Sequence, residues 1–465
     1  MGKERIRQAP PGRELYKTIS DCARAIWGGS GVGHIMEAAS LMSLTDDKGR
    51  YLHWNDICNR TSNREKAIGI WSLIKLAREG ALLPVFGLQG VITGEFCLLP
   101  TIQKVCSLID RTCTEVAIKA LISSSGMEES IFSDFIDDES IASSQLEGAA
   151  TTRKVALQIL REGRNPKSEG DKMIIGNNRL MNLAWESRND PMTKELFLSF
   201  HETACSGIDD NTYRPGIFRS DNSVFVGDIE GNILHQPPDV SSLELAIDTF
   251  IEWINFNHEE LVSAKRYLHP VVKSCIMHFC TGYLHPFNDG NGRVARALFY
   301  WYLFRHGYDA FRYISVSRLL KEAPVQYVEA YLKTEKDRMD LTYFIDYQCR
   351  ILERAINATI NKATDSVNTI RHFNIWLTTS GAARKLTTIQ QYIIQLLVIE
   401  PGRTMTVRQL EEGSGISGGA ARKNLEKMAE AGMVNRSGGG GNKPALYTGK
   451  KSVEDIKKAI IRLIE

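Results

Sequence analysis

Apolar residues that recur at intervals of three and four dominate this chain, and this spacing restricts its fold more than any other feature. From about Thr114 to Arg371 one such segment follows another, whereas clear strand alternation is scarce. Spacing of three and four places apolar side chains on one face of an α-helix. We therefore predict a mostly α fold, in which residues 114–375 form a helical domain behind a mixed, mostly helical region over residues 1–113.

One stretch inside the predicted helical domain lacks this spacing. Three β-prone residues precede a glycine-containing turn there: Val224, Phe225 and Val226. Pro237 and Pro238 follow the turn, and proline ends strand pairing because it has no N–H donor. The pattern predicts a β-hairpin.

The C-terminal segment, residues 386–465, is predicted to be a separate module. Three helical segments precede a strand, a glycine loop and a second strand, which is the pattern of a winged helix-turn-helix. From Gly381 to Glu465 there are 14 Lys and Arg against 8 Asp and Glu. This basic balance fits DNA binding, and it fits equally a protein-interaction or dimerisation module with a solvated basic face. The candidate DNA contacts lie on the third helix and beside the glycine loop: Arg422, Lys423, Lys427, Arg436 and Lys443.

The composition argues against several classes of protein. With 43% hydrophobic and 24% charged residues the chain is expected to be globular, and its net charge of +2 is too small for a polycation. The polar N-terminus lacks the apolar core of a signal peptide, and no apolar run has the length of a membrane span. The nine cysteines include no Cys-x-x-Cys pair, so we expect reduced thiols in a cytoplasmic protein and no zinc site.

The string HPFNDGNGRVAR, residues 285–296, lies between two predicted helices and holds the residue types of a polyphosphate site. His285 can take a proton near neutral pH, and Asp289 suits a hard cation such as Mg²⁺. Three residues that can turn backbone N–H groups toward an anion follow: Gly290, Asn291 and Gly292. Arg293 and Arg296 lie about one helical turn apart and can hold two phosphates. The chemistry indicated is attack by a hydroxyl on a nucleotide phosphate.

Parts of this string have structural explanations. Asp-Gly-Asn-Gly alone is a common turn, and a single histidine at a helix end is usually a satisfied surface residue. The complete string is different, because it resembles the motif of the Fic family, His-Pro-Phe-x-(Asp/Glu)-Gly-Asn-Gly-Arg-x-x-Arg, at every fixed position. Fic proteins are α-helical, and most transfer AMP from ATP to a Ser, Thr or Tyr hydroxyl of a target protein.

The resemblance implies a role for each residue of the string. His285 would be the base on the target hydroxyl, and Asp289 would hold Mg²⁺. The α- and β-phosphates of ATP would contact Arg293 and three further residues: Gly290, Asn291 and Gly292. Arg296 would hold the γ-phosphate, and pyrophosphate would leave. Tyr327 lies where the family often has an aromatic residue near the adenine, although a core role explains Tyr327 equally well. The predicted hairpin would be the family's flap, which pairs with the target segment.

A second match lies upstream. Ser143 to Gly148 reads SSQLEG and resembles the family's inhibitory motif, (Ser/Thr)-x-x-x-Glu-(Gly/Asn). Ser143 and Glu147 are four residues apart and therefore share one helical face. An ordinary helix end ahead of a glycine is the alternative. The resemblance implies that Glu147 pairs with Arg296 and blocks the γ-phosphate, and in some relatives this glutamate also supports removal of AMP.

The sequence thus indicates an autoinhibited adenylyltransferase with ATP and Mg²⁺ as cofactors. A target protein, or the chain itself, would accept AMP, and DNA and a homo-oligomer stay open as partners. Two alternatives remain at this point. One is a Fic enzyme that transfers another phosphate-linked group, and the other is a DNA-binding transcription regulator whose Fic site acts as a sensor.

Overall fold

The computed structural model describes residues 6–88, 92–117, 133–210, 212–228, 230–260, 267–439 and 444–464. Over these ranges the chain is mostly helical, as predicted, and its strands form three small antiparallel sheets. None of the helices in the described ranges combines the length and the apolar content that crossing a membrane requires.

The N-terminal region combines short helices with one β-hairpin. Its elements are α1 (Ile19–Trp27), α2 (Val32–Ser40), α3 (Trp54–Arg60), α4 (Arg64–Glu79), β1 (Leu82–Leu88), β2 (Ile92–Cys97) and α5 (Pro100–Thr112). Arg78 of α4 ties this region to the rest of the chain. Its buried guanidinium lies over the Tyr51 ring and donates hydrogen bonds to the Leu52 carbonyl, at 2.8 Å, and to the Tyr343 hydroxyl, at 2.9 Å. These contacts satisfy a buried charge that would otherwise be costly.

The central region contains the largest apolar core. Its elements are α6 (Ser133–Leu146), α7 (Arg153–Glu162), α8 (Glu169–Glu186), α9 (Lys194–Cys205), β3 (Val226–Gly227), β4 (Ile233–His235), α10 (Leu243–Asn255), α11 (Pro270–Leu284), α12 (Asn291–Arg305), α13 (Ser317–Glu322), α14 (Pro324–Lys336) and α15 (Thr342–Thr379). Side chains of Thr152, Ser168 and Thr193 cap α7, α8 and α9 by accepting backbone N–H groups. Helices α11 and α12 pack against each other at the centre of this core and are buried along nearly their whole length.

The hairpin of the central region is shorter than predicted. We expected Val224, Phe225 and Val226 to form its first strand, but β3 begins at Val226, and Val224 and Phe225 precede it. Val226 pairs with His235 of β4, so continued pairing would set Val224 opposite Pro237. Proline has no N–H to donate, and the ladder therefore stops at this point.

The C-terminal segment contains four helices and three strands in its described residues. Its elements are α16 (Thr388–Ile399), β5 (Thr404–Met405), α17 (Val407–Ser414), α18 (Gly418–Glu430), β6 (Val434–Gly438), β7 (Ala445–Gly449) and α19 (Val453–Ile464). Strand β7 lies between β5 and β6. Helix α15 runs past residue 375, where we placed the end of the helical domain, because its late apolar residues Phe373 and Leu377 pack in the C-terminal core with Ile393 and Leu397.

Candidate active site

The loop between α11 and α12 is held by its own residues. His285 ends α11 in the left-handed conformation, with φ at +46°, and Gly290 precedes α12 with φ at +82°. A side chain with a Cβ seldom adopts this conformation, so His285 must be held there by its neighbours. The Asn291 amide closes the loop, since it accepts a hydrogen bond from Phe287 N at 2.9 Å and donates one to Phe287 O at 2.8 Å.

The imidazole of His285 is arranged as an acceptor. Its Nδ1 lies 3.1 Å from the Gly282 carbonyl oxygen, which can only accept, so Nδ1 carries the proton. Nε2 then keeps its lone pair and makes no hydrogen bond with a described residue. Burial lowers the pKa of His285 to about 4, and the ring is therefore neutral near pH 7. A neutral imidazole with an unoccupied Nε2 is suited to take a proton.

Arg219 supports this histidine and was not singled out in the sequence. Its Nε donates to the His285 carbonyl at 3.0 Å, and its backbone N–H donates to Pro286 O at 2.9 Å. The same guanidinium donates to Pro238 O at the end of the hairpin. Arg219 is buried and joins the loop to the hairpin, a link between positions 66 residues apart that no local pattern in the sequence predicts.

The two arginines of the string have different partners. Arg293 donates from Nη1 to the Ala204 carbonyl at 2.6 Å, at the end of α9. Arg296 donates from Nε to Ser143 Oγ and from Nη2 to Glu147 Oε1, both at 2.8 Å. The structure therefore brings Ser143 and Glu147 to the second arginine.

Glu147 also covers the start of α12. A Cβ built on Gly292 would lie 2.1 Å from Glu147 Oε1, so the carboxylate occupies the space directly above the glycine. Backbone N–H groups at a helix N-terminus attract anions at this position. Burial acts to raise the pKa of Glu147, but the charge and the hydrogen bond of Arg296 and the charge of Arg293 outweigh it, so the pKa lies below its ordinary value. Glu147 is consequently an ionised carboxylate where we predicted phosphate.

A cavity of about 180 Å³ adjoins this carboxylate. Its walls combine predicted site residues with hairpin and α14 residues: Glu147, Val226, His235, His285, Arg296 and Tyr327. Tyr327 thus lines the cavity, and its hydroxyl lies 2.7 Å from His278 Nε2. His235 attaches β4 to the core, through Glu335 at 2.8 Å from Nδ1 and the Tyr283 carbonyl at 2.8 Å from Nε2. Sequence reasoning missed His235, which is a single histidine outside any recognised motif.

His201 on α9 is a third residue that was not singled out in the sequence. Gly216 N donates to its Nδ1 at 3.1 Å, so Nε2 carries the proton and donates to the Asp289 carbonyl at 2.8 Å. The ring stacks on Phe287 with centroids 3.8 Å apart, and burial lowers its pKa to about 4. His201 therefore holds the loop at Asp289 and at Phe287. Because His201 precedes Asp289 by 88 residues, no local sequence pattern predicts this contact.

The candidate metal ligand is Asp289, an exposed carboxylate of the same loop. Over the described residues, no group of three or more His, Cys, Asp or Glu side chains is arranged to hold a metal ion. One carboxylate beside a phosphate cradle is nevertheless what Mg²⁺ needs, because it commonly binds through one or two carboxylates together with substrate phosphates. The residues present fit the predicted ion.

The candidate DNA contacts lie away from this site. Arg422, Lys423 and Lys427 are exposed on α18. Arg436 of β6 forms an ion pair with Glu426 of α18, with Nη1 3.2 Å from Oε1. Lys443 lies outside the described residues.

Residues 191–303 of the chain match the Fic/DOC family. The chain is 32% identical over 149 residues to a protein adenylyltransferase Fic of Nematostella vectensis, which covers 32% of this chain and 30% of that relative. It is 30% identical over 130 residues to the protein of the same name from Aedes aegypti, which covers 28% of this chain and 23% of that relative. The chain thus spans less than a third of the length of these relatives.

Two solved structures match parts of this chain. One is a Fic family protein from Desulfovibrio desulfuricans G20, with 18% identity, a TM-score of 0.49, and coverage of 80% of this chain and 99% of that one. The other is Fic-1 (aa134 - 508) from C. elegans, with 18% identity, a TM-score of 0.44, and coverage of 71% and 92%. The family match and the named relatives thus show that residues 191–303 are similar to the Fic/DOC family.

Proposed function

We propose that this chain is a protein adenylyltransferase that moves AMP from ATP to a Ser, Thr or Tyr hydroxyl of a target protein or of itself. One observation carries the proposal: a neutral imidazole with its Nε2 unoccupied lines a cavity shared with Arg296 and the start of α12. A base beside an anion cradle is the arrangement that nucleotide transfer to a hydroxyl requires. The nine cysteines are free thiols, which fits a cytoplasmic location.

In this proposal each residue acts on one group. His285 Nε2 takes the proton of the attacking hydroxyl as its oxygen bonds to the α-phosphorus and the bond to pyrophosphate breaks. Arg293 and the N–H groups at the start of α12 hold the phosphates, and Arg296 binds the γ-phosphate once Glu147 has left. Mg²⁺ on Asp289 would neutralise phosphate charge. Tyr327 would contact the adenine from the wall of the cavity.

The hairpin is proposed to align the target segment. Phe225 beside β3 is 49% exposed and Ile233 of β4 is 59% exposed, so apolar side chains face solvent next to the cavity. A two-stranded sheet leaves unpaired backbone groups at its edges, and an extended peptide can pair with them. Strand pairing at this edge would bring a target hydroxyl toward His285.

Glu147 is proposed to be the inhibitor of this activity. Its carboxylate occupies both the Arg296 guanidinium and the space above Gly292. Because ATP needs the same positions for its phosphates, ATP would bind with its α-phosphate out of line with the target hydroxyl. Removal of AMP from the modified target, supported by the same glutamate, is proposed as a further activity of this site.

Intact-mass measurement tests the reaction class. The Glu147→Gly variant is incubated with ATP and Mg²⁺, and in parallel with other nucleotides and with a phosphocholine donor. We expect a mass increase equal to one or more AMP groups on the chain itself. An added phosphate, or a different phosphate-linked group, would contradict adenylyl transfer and favour the alternative Fic chemistry.

His201 is expected to position the loop for this reaction. In the Glu147→Gly background, His201→Phe keeps the stacking on Phe287 and removes the hydrogen bonds of the ring to Asp289 O, Gly216 N and Cys205 Sγ. We expect kcat to fall about 10- to 100-fold with little change in KM, because a misplacement near 1 Å can cost about 100-fold. Steady-state labelling with radiolabelled ATP measures this.

The matched control is His201→Gln, which keeps a donor for the Asp289 carbonyl and should recover part of kcat. Melting temperature separates a loop effect from a folding defect. Equal kcat in His201→Phe and its parent would show that His201 does not position the loop.

DNA binding by the C-terminal segment is a second candidate function. Three exposed cations on α18 favour it, together with the β6–β7 strand pair that follows in the order of a winged helix. Cations spaced along one helix can contact DNA phosphates, and such binding weakens steeply as salt rises. We expect full-length Arg422→Glu/Lys423→Glu/Lys427→Glu to lose salt-sensitive binding to duplex DNA.

Fluorescence anisotropy with labelled duplex DNA measures this. The matched control is Lys457→Glu on α19, a partly exposed cation of the same segment, which should bind as the wild type does. Substitution is preferred to deletion, because the C-terminal core contains Phe373 and Leu377 of α15 and removal of the segment would expose them. If the triple variant bound DNA as the wild type does, α18 would not be the DNA contact.

A further inference from the structure

A larger cavity lies behind the helix that carries Ser143. It has a volume of about 590 Å³, and four residues of α6 form one of its walls: Asp138, Ile141, Ala142 and Gln145. On a helix these positions lie on the face opposite Ser143, which contacts Arg296. The other walls come from α7, α13, α15 and the end of α16, so the cavity joins the central region to the C-terminal segment.

The charge of this cavity is unbalanced. Its cationic lining residues are Arg153, Arg318, Lys321 and Lys362. Its acidic lining residues are Asp138 and Glu400, and Asp138 is already paired with Arg153 at 2.8 Å. Arg318 makes no side-chain hydrogen bond or ion pair with any described residue, and Lys321 donates at 2.6 Å to a neutral oxygen, Oε1 of Gln145. Two more positive than negative charges line a space that can hold an anion.

The volume of the cavity and its apolar lining residues indicate the kind of ligand that it can hold. Small-molecule sites typically measure about 300–1,000 Å³ and combine apolar surface with a few polar anchors. Here Ile141, Ala142 and Ile399 supply apolar surface, while Arg318 and Lys321 lie about one turn apart on α13. We propose that this cavity binds a nucleotide-sized, phosphate-bearing ligand, and that binding loosens the contact between Glu147 and Arg296.

Gln145 couples the two sides of α6. Its Oε1 accepts from Lys321, and its Nε2 donates to the Thr151 carbonyl at 2.7 Å. Glu147 lies in the turn between Gln145 and Thr151, so this amide spans the segment that holds the carboxylate on Arg296. A phosphate group that takes Lys321 away from Gln145 removes one support of that turn. The regulatory part of the inference rests on the proposed function, whereas the binding part does not.

Binding is tested with full-length protein, with AMP and inorganic pyrophosphate as the two probes. The Arg293→Ala substitution is introduced to suppress binding at the α11–α12 loop. Isothermal titration calorimetry on this variant then measures binding in the cavity. We expect at least one probe to bind, and its affinity to fall tenfold or more when Arg318→Glu/Lys321→Glu is added. The matched control, Lys423→Glu, should leave binding unchanged. No binding of either probe at millimolar concentration, or equal binding after the double reversal, overturns the site.

The coupling has a readout that does not need transfer activity. Hydrogen exchange over residues 137–151 should become faster when the probe is bound, and this increase should be absent from the Arg318→Glu/Lys321→Glu variant. The neutral pair Arg318→Gln/Lys321→Gln replaces it if the charge reversal fails to fold. Cavity binding without faster exchange overturns the coupling. If the Glu147→Gly variant transferred no nucleotide while the cavity still bound a probe, the cavity site would be kept and the proposed function would be overturned instead.

Discussion

Glu147→Gly is expected to raise AMP transfer, including self-modification, by about 10- to 100-fold. Glu147 accepts a hydrogen bond from the buried Arg296 guanidinium at 2.8 Å and fills the space above Gly292. A hydrogen bond to a charged group contributes about 1.5–3 kcal/mol. In the variant the γ-phosphate no longer has to break such a bond between Arg296 and Glu147, and this free energy corresponds to about 10- to 100-fold. The measurement is incorporation of radiolabelled AMP into protein at fixed ATP and Mg²⁺.

Glu147→Gln is the matched control for this variant. It keeps the size of the side chain and removes its charge, so we expect an intermediate rise. Glycine also leaves a buried guanidinium with Ser143 as its remaining partner, and an unpaired buried charge destabilises the fold. We therefore expect a lower melting temperature for Glu147→Gly, restored in part by ATP. No increase in labelling over the wild type would show that Glu147 is not inhibitory.

His285→Ala in the Glu147→Gly background is expected to abolish transfer while ATP binding survives. Loss of a positioned general base typically costs about 10²- to 10⁴-fold. The phosphates, by contrast, would contact Arg293, Arg296 and the start of α12, which the substitution leaves in place. Labelling with radiolabelled ATP measures transfer, and calorimetry with ATP and Mg²⁺ measures binding.

The pH profile gives a second check on this histidine. Its pKa of about 4 lies below the ordinary value, so the neutral, proton-accepting form is present above pH 4 and is lost only as pH falls through that value. Transfer by Glu147→Gly should therefore show no inflection from His285 between pH 6 and 8. If His285→Ala transferred AMP at the rate of its parent, His285 would not be the base.

Much of the site could be predicted from the sequence, because the residues concerned are close together along the chain. His285 to Arg296 form one loop and the first turns of α12, so spacing alone places an imidazole, a carboxylate, glycine N–H groups and two cations near each other. The helical class follows in the same way from apolar residues three and four apart. The first strand of the hairpin was placed two residues early, because the effect of Pro237 on pairing depends on which residue lies opposite it.

Sequence spacing by itself determined the helices, the loop and the identity of its chemical groups, since backbone dihedrals and helix caps depend on neighbouring residues. Tertiary structure alone decided that Arg219 and His201 hold this loop and that Lys321 reaches Gln145 behind Glu147. These partners lie 66, 88 and 176 positions apart. The path of the chain between them, set by the packing of whole helices, determines whether such side chains meet.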